Sequence, residues 1–470
     1  MATDTPTAPA RDAPVGRPGH GPGPDWREAV SSGVYWGVAH GLPRLAVRAA
    51  ARRGDLQGRL MLAPASGDQV WELLAEVRDQ GPLVRSRLSY LTADYAVVKE
   101  ILSSPDFRAG PPTRPGSLLG RLLDRTAPRV QHPVEPPSLL ATEPPDHTRY
   151  RRLVTRVFTV RAVERMRGRT EEIAQQLLDR LDPSAPVDLI GSYCAQLPLT
   201  VITEILGVPP GQRNRVLELG TRAAPSLDFA LGWRQFRAVT DGLRGFDQWL
   251  DHHIEQLRRA PGEDLLSQLI EARDEDGTLN DRELKATAGL VLAAGFETTV
   301  NLLGNAIALL DRHPGQRDRL RADGALWPNA VDEALRLDPP VLMTGRVAVR
   351  PTSVAGRELP AGALVVTLLG GANRDPRVFA DPDRYDVARQ NARDHVAFSG
   401  GRHYCLGASL ARMEGEVGLR ALAERFPDLR LLPGAVRRPT RVLRGYEILP
   451  ARLGPADQDE QLATEPGLRA

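Results

Sequence analysis

The sequence contains very little cysteine and no excess of either charge. Only Cys194 and Cys405 occur among 470 residues, and two cysteines so far apart cannot build a disulfide framework or a paired-cysteine metal site. The 61 basic and 59 acidic side chains leave a formal charge of +2, which is too even a balance for a nucleic-acid-binding protein. An apolar run of the roughly 18 to 20 residues that span a bilayer is lacking, as is an apolar signal core. These absences predict a soluble protein of the reducing cytoplasm, with no transmembrane segment.

The overall composition is that of a globular protein, with 41% hydrophobic and 26% charged residues. Residues 1–25 are dense in Pro, Gly and Ala and predict a disordered leader. The polar residues 453–470 predict a frayed tail. No repeat and no Gly/Ser linker interrupts residues 65–452, so we expect one large domain there.

Residues 26–64 form an N-terminal extension that is both aromatic and basic. Trp26, Tyr35 and Trp36 occur together with arginines at positions 44, 48, 52, 53 and 59. An amphipathic pattern of this kind can lie on a membrane or organise the docking of a partner. A helix packed against its own domain is the more common alternative.

Hydrophobic periodicity predicts a mainly α-helical fold. Apolar residues recur at three- and four-residue spacing in Ala162–Leu181, Leu243–Arg259 and Arg282–Arg312. Strand patterns are fewer: Leu83–Leu91 alternates before a helix, and Ser353–Leu368 has the pattern of strand, turn, strand. We therefore expect a small, mostly antiparallel β-sheet region to one side of the helices.

The strongest chemical signal is the segment Phe398–Gly407, FSGGRHYCLG, which runs into a good helix sequence from Ala408. A cysteine just before a helix start lies at the positive end of the helix dipole, which favours thiolate over thiol. The flanking glycines let the backbone turn tightly beside a ligand. A thiolate held in this way is a strong donor to haem iron. The alternative is a buried structural cysteine, against which the glycines and His403 argue.

This segment resembles the haem-binding loop of the cytochrome P450 superfamily, F-G-x-G-x-H-x-C-x-G, at every fixed position except Ser399. The resemblance implies that Cys405 is the proximal ligand of the iron. It also implies that His403 contacts a haem propionate, that Phe398 packs near the sulfur, and that Gly407 belongs to the cofactor-binding loop.

A second signal, Ala293–Thr299 (AAGFETT), lies inside the longest helical pattern. Glycine and adjacent threonines are poor choices in mid-helix, and the Thr298 hydroxyl can bond to a backbone carbonyl and loosen the helix. Alone, the pattern suits simple packing with a surface acid. It also resembles the family's A-G-x-[DE]-T-[TS] motif for oxygen activation. That resemblance makes Glu297 and Thr298 catalytic proton donors and places Ala294 and Gly295 against the cofactor.

A third signal is the pair Glu333 and Arg336, three residues apart on one helix face. As an exposed pair it would contribute roughly 0.3 to 0.5 kcal/mol. It resembles the family's E-x-x-R motif, which implies an inward-facing structural pair completed by an arginine, here Arg384.

Three further residues complete the expected cofactor site. His147 and Arg151 are four apart on one helix face, which by itself is usually surface decoration. The resemblance assigns both of them, together with Arg346, to the haem propionates. Burying haem carboxylates without such partners would be costly.

The resemblance spans roughly residues 65–452 and implies the P450 fold, with haem b between the Gly295 helix and the Cys405 helix. It implies insertion of one oxygen atom from O2 into a substrate, with electrons from NAD(P)H through ferredoxin reductase and ferredoxin, in the manner of soluble bacterial monomers. Docking of an acidic donor would use four arginines near the cysteine face: Arg151, Arg152, Arg402 and Arg412.

The expected substrate walls are residues 107–143, 224–238, Val341–Thr344 and Arg444–Tyr446, which are largely apolar. They favour a hydrophobic small molecule from secondary or lipid and steroid-type metabolism. Two alternatives remain open: a peroxide-using haem-thiolate protein, against which Glu297 argues, and a non-catalytic haem-binding protein.

Overall fold

The structure is a computed structural model. Residues 1–25, which contain the predicted leader, lie outside the described part of the chain, as do all but the first two residues of the predicted tail. The described residues are 26–63, 67–110, 118–155, 158–271 and 279–454.

Helices dominate these residues, as the sequence predicts. Short π-helical and 3-10 turns connect several of them. In chain order the α-helices are α1 (Trp26–Trp36), α2 (Leu42–Arg52), α3 (Leu56–Leu62), α4 (Gln69–Asp79), α5 (Tyr95–Ser103), α6 (Leu118–Thr126), α7 (Asp146–Thr155), α8 (Val160–Leu178), α9 (Gln196–Ile205), α10 (Arg213–Ala223), α11 (Trp233–Arg259), α12 (Leu265–Glu271), α13 (Asp281–Arg312), α14 (Pro314–Ala322), α15 (Trp327–Leu337), α16 (Leu369–Ala372) and α17 (Ala408–Arg425).

Local sequence explains the long helices. The Asn280 side chain accepts from the backbone N–H of Glu283, whose carboxylate accepts from the N–H of Asn280. This capping box satisfies two backbone donors at the start of α13. Thr159 caps α8 in the simpler one-way manner. The three predicted helices are confirmed, although α11 begins at Trp233 rather than at Leu243.

By length and composition alone, α13 could cross a bilayer, although Glu297 interrupts its apolar sequence. However, 61% of its most apolar 18-residue window is buried inside the protein. Neighbours α9, α15 and α17 surround it, and its apolar character is that of a core helix.

The strands form one five-stranded sheet and three small sheets. The strands are β1 (Val84–Arg85), β2 (Tyr90–Thr92), β3 (Phe107–Arg108), β4 (Val187–Asp188), β5 (Thr344–Ala348), β6 (Thr352–Val354), β7 (Arg357–Leu359), β8 (Leu364–Thr367), β9 (Arg430–Leu431), β10 (Val436–Arg437), β11 (Tyr446–Ile448) and β12 (Pro450–Arg452). The larger sheet has the order β1-β2-β8-β5-β3, and among its strand pairs only β2 and β8 run parallel.

The small, mostly antiparallel sheet region is thus confirmed. The predicted strand, turn, strand over Ser353–Leu368 is also present, but its two strands are not paired with each other. β7 pairs with β6, whereas β8 lies between β2 and β5 in the larger sheet. Periodicity marks the strands but does not identify their partners.

The N-terminal extension packs against the body of the protein. Trp36 meets Trp233 edge to face with ring centroids 5.5 Å apart, and Tyr35 stacks on Phe236 at 6.0 Å. Trp36 Nε1 also donates to the carbonyl of Leu231 at 3.0 Å. One face of α1 and α2 therefore belongs to the fold and rests on the start of α11.

Candidate active site

The loop before α17 turns sharply and presents Cys405. The Cys405 N–H donates to the carbonyl of Phe398 at 3.0 Å. Gly401 has a φ of +62°, and a Cβ there would lie 2.2 Å from the carbonyl oxygen of Leu102. Only glycine fits such a position. The guanidinium of Arg412 covers the Phe398 ring at 4.6 Å, so both backbone and side chains fix this loop.

The Cys405 thiol has accessible surface but is closely surrounded by protein atoms. Burial raises the pKa of Cys405, and the Gly407 N–H and the charges of Arg151 and Arg412 oppose that rise. The Gly407 N–H at the start of α17 acts in the direction that the sequence predicts, while the lost hydration acts against it. A coordinated metal ion, by contrast, deprotonates a thiol outright.

Ser399 is the one departure from the loop pattern, and the structure explains why the family has glycine there. Its φ is +62°, in the left-handed region, where a side chain costs roughly 1 to 2 kcal/mol. The Ser399 hydroxyl accepts a hydrogen bond from Arg346 Nη2 at 3.3 Å. The serine thus combines backbone strain with a contact to a predicted cofactor residue.

Comparing Ser399→Gly with Ser399→Ala separates these two effects, because both variants lose the hydroxyl and only glycine relieves the strain. We expect Ser399→Gly to be more stable than Ser399→Ala by about 1 kcal/mol, measured by chemical denaturation of the haem-loaded protein. Equal stabilities would show that the left-handed backbone is not strained at this position.

His147, His403 and Arg346 lie close together, as the propionate assignment requires. The rings of His147 and His403 have centroids 4.7 Å apart. His147 Nε2 is buried without a hydrogen-bond partner among the described residues, and burial lowers the pKa of His147 to about 4. Burial also lowers the pKa of Arg346 to about 10. Arg346 already donates to Thr344, Gly345 and Ser399, so the group here that still needs a partner is His147 Nε2, and a carboxylate of a ligand would supply one.

Arg151 differs from the other three. Its Nη2 donates to the carbonyl of Tyr404 at 2.7 Å, next to Cys405. Its positive charge is one of those that oppose the rise in the pKa of Cys405. It therefore holds the cysteine loop as well as facing the predicted site.

Glu143 belongs to the same cluster and was missed by the sequence reasoning. Its carboxylate accepts from His403 Nε2 at 3.0 Å, from Arg402 Nη1 at 2.8 Å and from the Ala109 N–H at 2.7 Å. Burial opposes ionisation, but these bonds and charges lower the pKa of Glu143 to about 2. The sequence around Glu143 does not predict this role, because each of its partners is more than thirty residues away along the chain.

On α13, the Thr298 hydroxyl donates to the carbonyl of Ala294 at 2.8 Å, the bond that the sequence predicts. Ala294 is exposed although α13 is a core helix, so this side of the helix borders accessible space. Gly295 needs a different explanation from the predicted one. A Cβ there would lie 2.9 Å from Ile202 on α9, so the missing side chain allows close helix packing.

Glu297 is buried, and Arg438 Nη1 lies 3.0 Å from its Oε1 without hydrogen-bond alignment. Burial raises the pKa of Glu297, and the charge of Arg438 opposes that rise. The simple packing interpretation assumed that this acid lies on the surface, and the structure shows that it is buried. Arg438 follows β10, far from α13 in sequence, and no motif around it predicts that it pairs with Glu297.

Glu414 is a second buried acid, on α17. Burial raises the pKa of Glu414 well above its usual value. The Thr299 hydroxyl is its polar neighbour, but that hydroxyl donates to the Gly295 carbonyl at 3.3 Å. Neither carboxyl oxygen has an aligned hydrogen bond within the described part of the chain. Glu414 sits in ordinary helix sequence and was missed for that reason.

Glu333 and Arg336 turn inward, as the third motif implies. Both are fully buried, and the two groups form a bidentate pair at 2.7 and 2.9 Å. The third member is Arg389, whose Nε donates to Glu333 Oε1 at 3.0 Å. The assignment of Arg384 is wrong, since that residue contributes its backbone carbonyl to Arg336 at 3.1 Å.

The predicted docking arginines are largely engaged inside the protein. Arg412 Nε donates to Asp332 at 2.7 Å, and Asp332 also accepts from His395 at 3.1 Å. Arg402 is paired with Glu143. These arginines stabilise the cysteine loop, and of the four docking candidates Arg152 is exposed while the others are partly buried.

The residues present fit a haem group. Cys405 offers the sulfur, the His147, His403 and Arg346 cluster offers donors for two carboxylates, and exposed Ala294 marks the facing helix. Bound haem would supply an iron that activates dioxygen. Among the described residues no group of three or more His, Cys, Asp or Glu could hold a metal ion by itself.

Comparison with known proteins identifies the family. A family model described as cytochrome P450 matches residues 232–439. A cytochrome P450 140 of Mycobacterium tuberculosis is 52% identical over 434 residues, 90% of this chain and 98% of the relative. The 6-deoxyerythronolide B hydroxylase of Saccharopolyspora erythraea is 40% identical over 316 residues, 66% of this chain and 77% of the relative. The ligand-free structure of Mycobacterium smegmatis CYP164A2 has a TM-score of 0.76 at 32% identity, covering 84% of this chain and 99% of its own. With motifs, fold and relatives in agreement, the chain belongs to the cytochrome P450 superfamily of haem-dependent monooxygenases.

Proposed function

We propose that this monooxygenase hydroxylates or epoxidises a hydrophobic small molecule of secondary or lipid and steroid-type metabolism. The observation that carries the proposal is a narrow cleft beside the apolar side chains of Leu342 and Met343, within a predicted substrate wall. Leu60, Ala63 and Val70 extend its apolar lining. Apolar side chains of this kind favour a hydrophobic ligand. A hydroxylase among the relatives supports the reaction type.

Three arginines also border the cleft, and each has a partner inside the protein. Arg438 lies beside Glu297. Arg444 Nε donates to Asp338 at 2.7 Å. Arg441 Nε donates to the carbonyl of Met61. Because these charges are engaged internally, the cleft does not require an anionic substrate.

The chain's own residues would divide the work as follows. Cys405 binds the iron, and His147, Arg151, Arg346 and His403 hold the propionates. Glu297, with its raised pKa, stores a proton, and Thr298 passes protons on the accessible side of α13. Residues four apart share a helix face, so Thr298 lies on the same side as exposed Ala294.

We infer that electrons come from NAD(P)H through a ferredoxin reductase and a ferredoxin, and that the enzyme is a cytoplasmic monomer. The resemblance to soluble bacterial members of the family supports a separate electron donor of this kind. Positive charge near Cys405, from Arg151, Arg152, Arg402 and Arg412, supports an acidic donor on this face.

The test uses the purified, haem-loaded protein. The reduced protein with carbon monoxide should show the red-shifted Soret band of a thiolate-ligated haem. Hydrophobic probes, namely a macrolactone, a terpenoid, a steroid and a fatty acid, are then incubated with O2, NADPH, ferredoxin and ferredoxin reductase. Product that requires all four components supports the proposal. Turnover with hydrogen peroxide alone would favour the peroxide-using alternative, and a normal Soret band without any product would favour a non-catalytic haem protein.

Thr298→Ala is expected to uncouple oxygen consumption from product formation by roughly tenfold, since general acid groups contribute at least that much. Haem content should stay normal, because Thr298 bonds only to its own helix. The measurement is product formed per O2 consumed, with Thr298→Ser as the control that keeps the hydroxyl. Unchanged coupling in Thr298→Ala would remove Thr298 from the proton path.

A further inference from the structure

Half of the exposed large apolar side chains of the described residues lie in one region of the surface. They occur on α1, α2 and α6 and at the start of α11. Leu42 and Leu45 are 62% and 60% exposed. The eight side chains are Val30, Val34, Leu42, Leu45, Leu119, Leu122, Phe229 and Trp233. We call this set the apolar face.

Direct contacts bring together the elements that carry the apolar face. The Ser31 hydroxyl on α1 donates to the carbonyl of Thr126 at the end of α6, at 3.3 Å. Arg44 on α2 donates to the carbonyl of Ala230 at 3.1 Å, next to Phe229. The Trp36 to Trp233 contact joins α1 to α11. An exposed apolar patch of this kind on a folded protein marks an interaction surface.

Arginines surround the apolar face. Arg48 and Arg52 follow Leu45 at three- and four-residue steps on α2, so all three share one side of that helix. Helix α2 contains no acidic residue. Within the described part of the chain, six exposed arginines of this region have no ion pair: Arg48, Arg52, Arg53, Arg125, Arg234 and Arg237.

The chemistry of this surface specifies its partner. A partner that matches it is apolar at the centre, to pack against the exposed side chains, and negatively charged around it, to meet the arginines.

We infer that the apolar face binds the surface of an anionic phospholipid membrane, with α1 and α2 lying flat in the interface. An amphipathic helix with apolar side chains on one side and flanking arginines is the pattern of interfacial binding. Anionic headgroups attract such arginines, and aromatic side chains such as Trp233 favour the headgroup region. The opposite side of α1 and α2 is anchored on α11, so binding needs no unfolding.

This position also has a consequence for the substrate. Residues 224–238, a predicted substrate wall, carry Phe229 and Trp233 of the apolar face. The membrane-bound enzyme would face the lipid phase at this wall, where hydrophobic molecules concentrate. The inference does not depend on the proposed substrate, because vesicle binding is measured without turnover.

The experiment measures co-sedimentation of the haem-loaded full chain with vesicles. One set contains phosphatidylglycerol and phosphatidylcholine in equal parts, and the other contains phosphatidylcholine alone. We expect binding to the anionic vesicles that weakens with salt. Leu42→Asp with Leu45→Asp, and separately Arg48→Glu with Arg52→Glu, should each lower the partition coefficient by roughly tenfold or more.

The matched control is Val160→Asp with Val349→Asp. These side chains are 73% and 49% exposed on elements outside the apolar face, and this variant should bind like the wild type. Failure of the wild type to bind anionic vesicles would overturn the inference, as would equal loss in the control. Self-association of the wild type without vesicle binding, abolished by the leucine variant, would identify an interface between copies and would also overturn it. Binding of the wild type to an acidic protein but not to vesicles, lost in the leucine variant, would assign the apolar face to that protein and would also overturn the inference.

Discussion

Replacing Cys405 by alanine is expected to abolish the red-shifted Soret band of the reduced, carbon monoxide-treated protein and all monooxygenase turnover with it. The other cysteine of the sequence is not placed to supply a substitute thiolate. Cys194 is fully buried, and burial raises the pKa of its thiol, so it is an inert core residue. Cys405, in contrast, has accessible surface beside the Arg151 and Arg412 charges.

Cys194→Ala is the matched control, because it removes the same chemical group elsewhere. We expect this variant to keep the red-shifted band and to lose only about 1 kcal/mol of unfolding free energy from reduced packing. The comparison is made by difference spectroscopy and haem content on protein of equal folded fraction. A red-shifted band in Cys405→Ala would contradict the ligand assignment, and its loss in Cys194→Ala would show that the two thiols are not independent.

The long helices could be predicted because their signals are local. The capping box of Asn280 and Glu283 and the apolar spacing after it lie within one stretch of chain. The start of α11 was placed too late because Gly242 and Gly245 weaken the helical pattern. The structure explains both residues, since a Cβ at either position would lie 2.8 Å from a side chain of α10. The glycines allow close packing between helices, which periodicity does not encode.

The candidate site was predictable wherever a motif fixes the position, and not where a partner comes from a distant element. Glu333 and Arg336 were found from their spacing, but Arg389 was not, because 56 residues separate it from Glu333. The same reason applies to Glu143 with His403 and to Arg438 with Glu297. A carboxylate has no sequence pattern that specifies which distant arginine it will meet, since burial and chain geometry decide that choice.

The buried cluster of Glu333, Arg336 and Arg389 carries the largest expected effect on stability. Arg336 donates to the carbonyls of Asn373 and Pro382 at 2.9 and 2.7 Å. Asn373 Oδ1 in turn accepts from the N–H of Val396 at 2.7 Å, just before the cysteine loop. The cluster therefore connects α15 to the segment that positions Cys405.

Glu333→Gln is expected to destabilise the protein by about 3 to 5 kcal/mol, because it leaves two buried guanidinium groups without their counter-charge. Chemical denaturation of the haem-loaded protein measures this effect, and haem content reports the cysteine loop. The control is Glu172→Gln, which changes the same group in an exposed pair with Arg169 at the same spacing and should cost less than about 1 kcal/mol. If both variants lost an equally small unfolding free energy, the buried charge of Glu333 would not stabilise the segment before the cysteine loop. A large loss of stability in Glu333→Gln with full haem retention would separate the two roles, since the cluster would then support the helices without positioning Cys405.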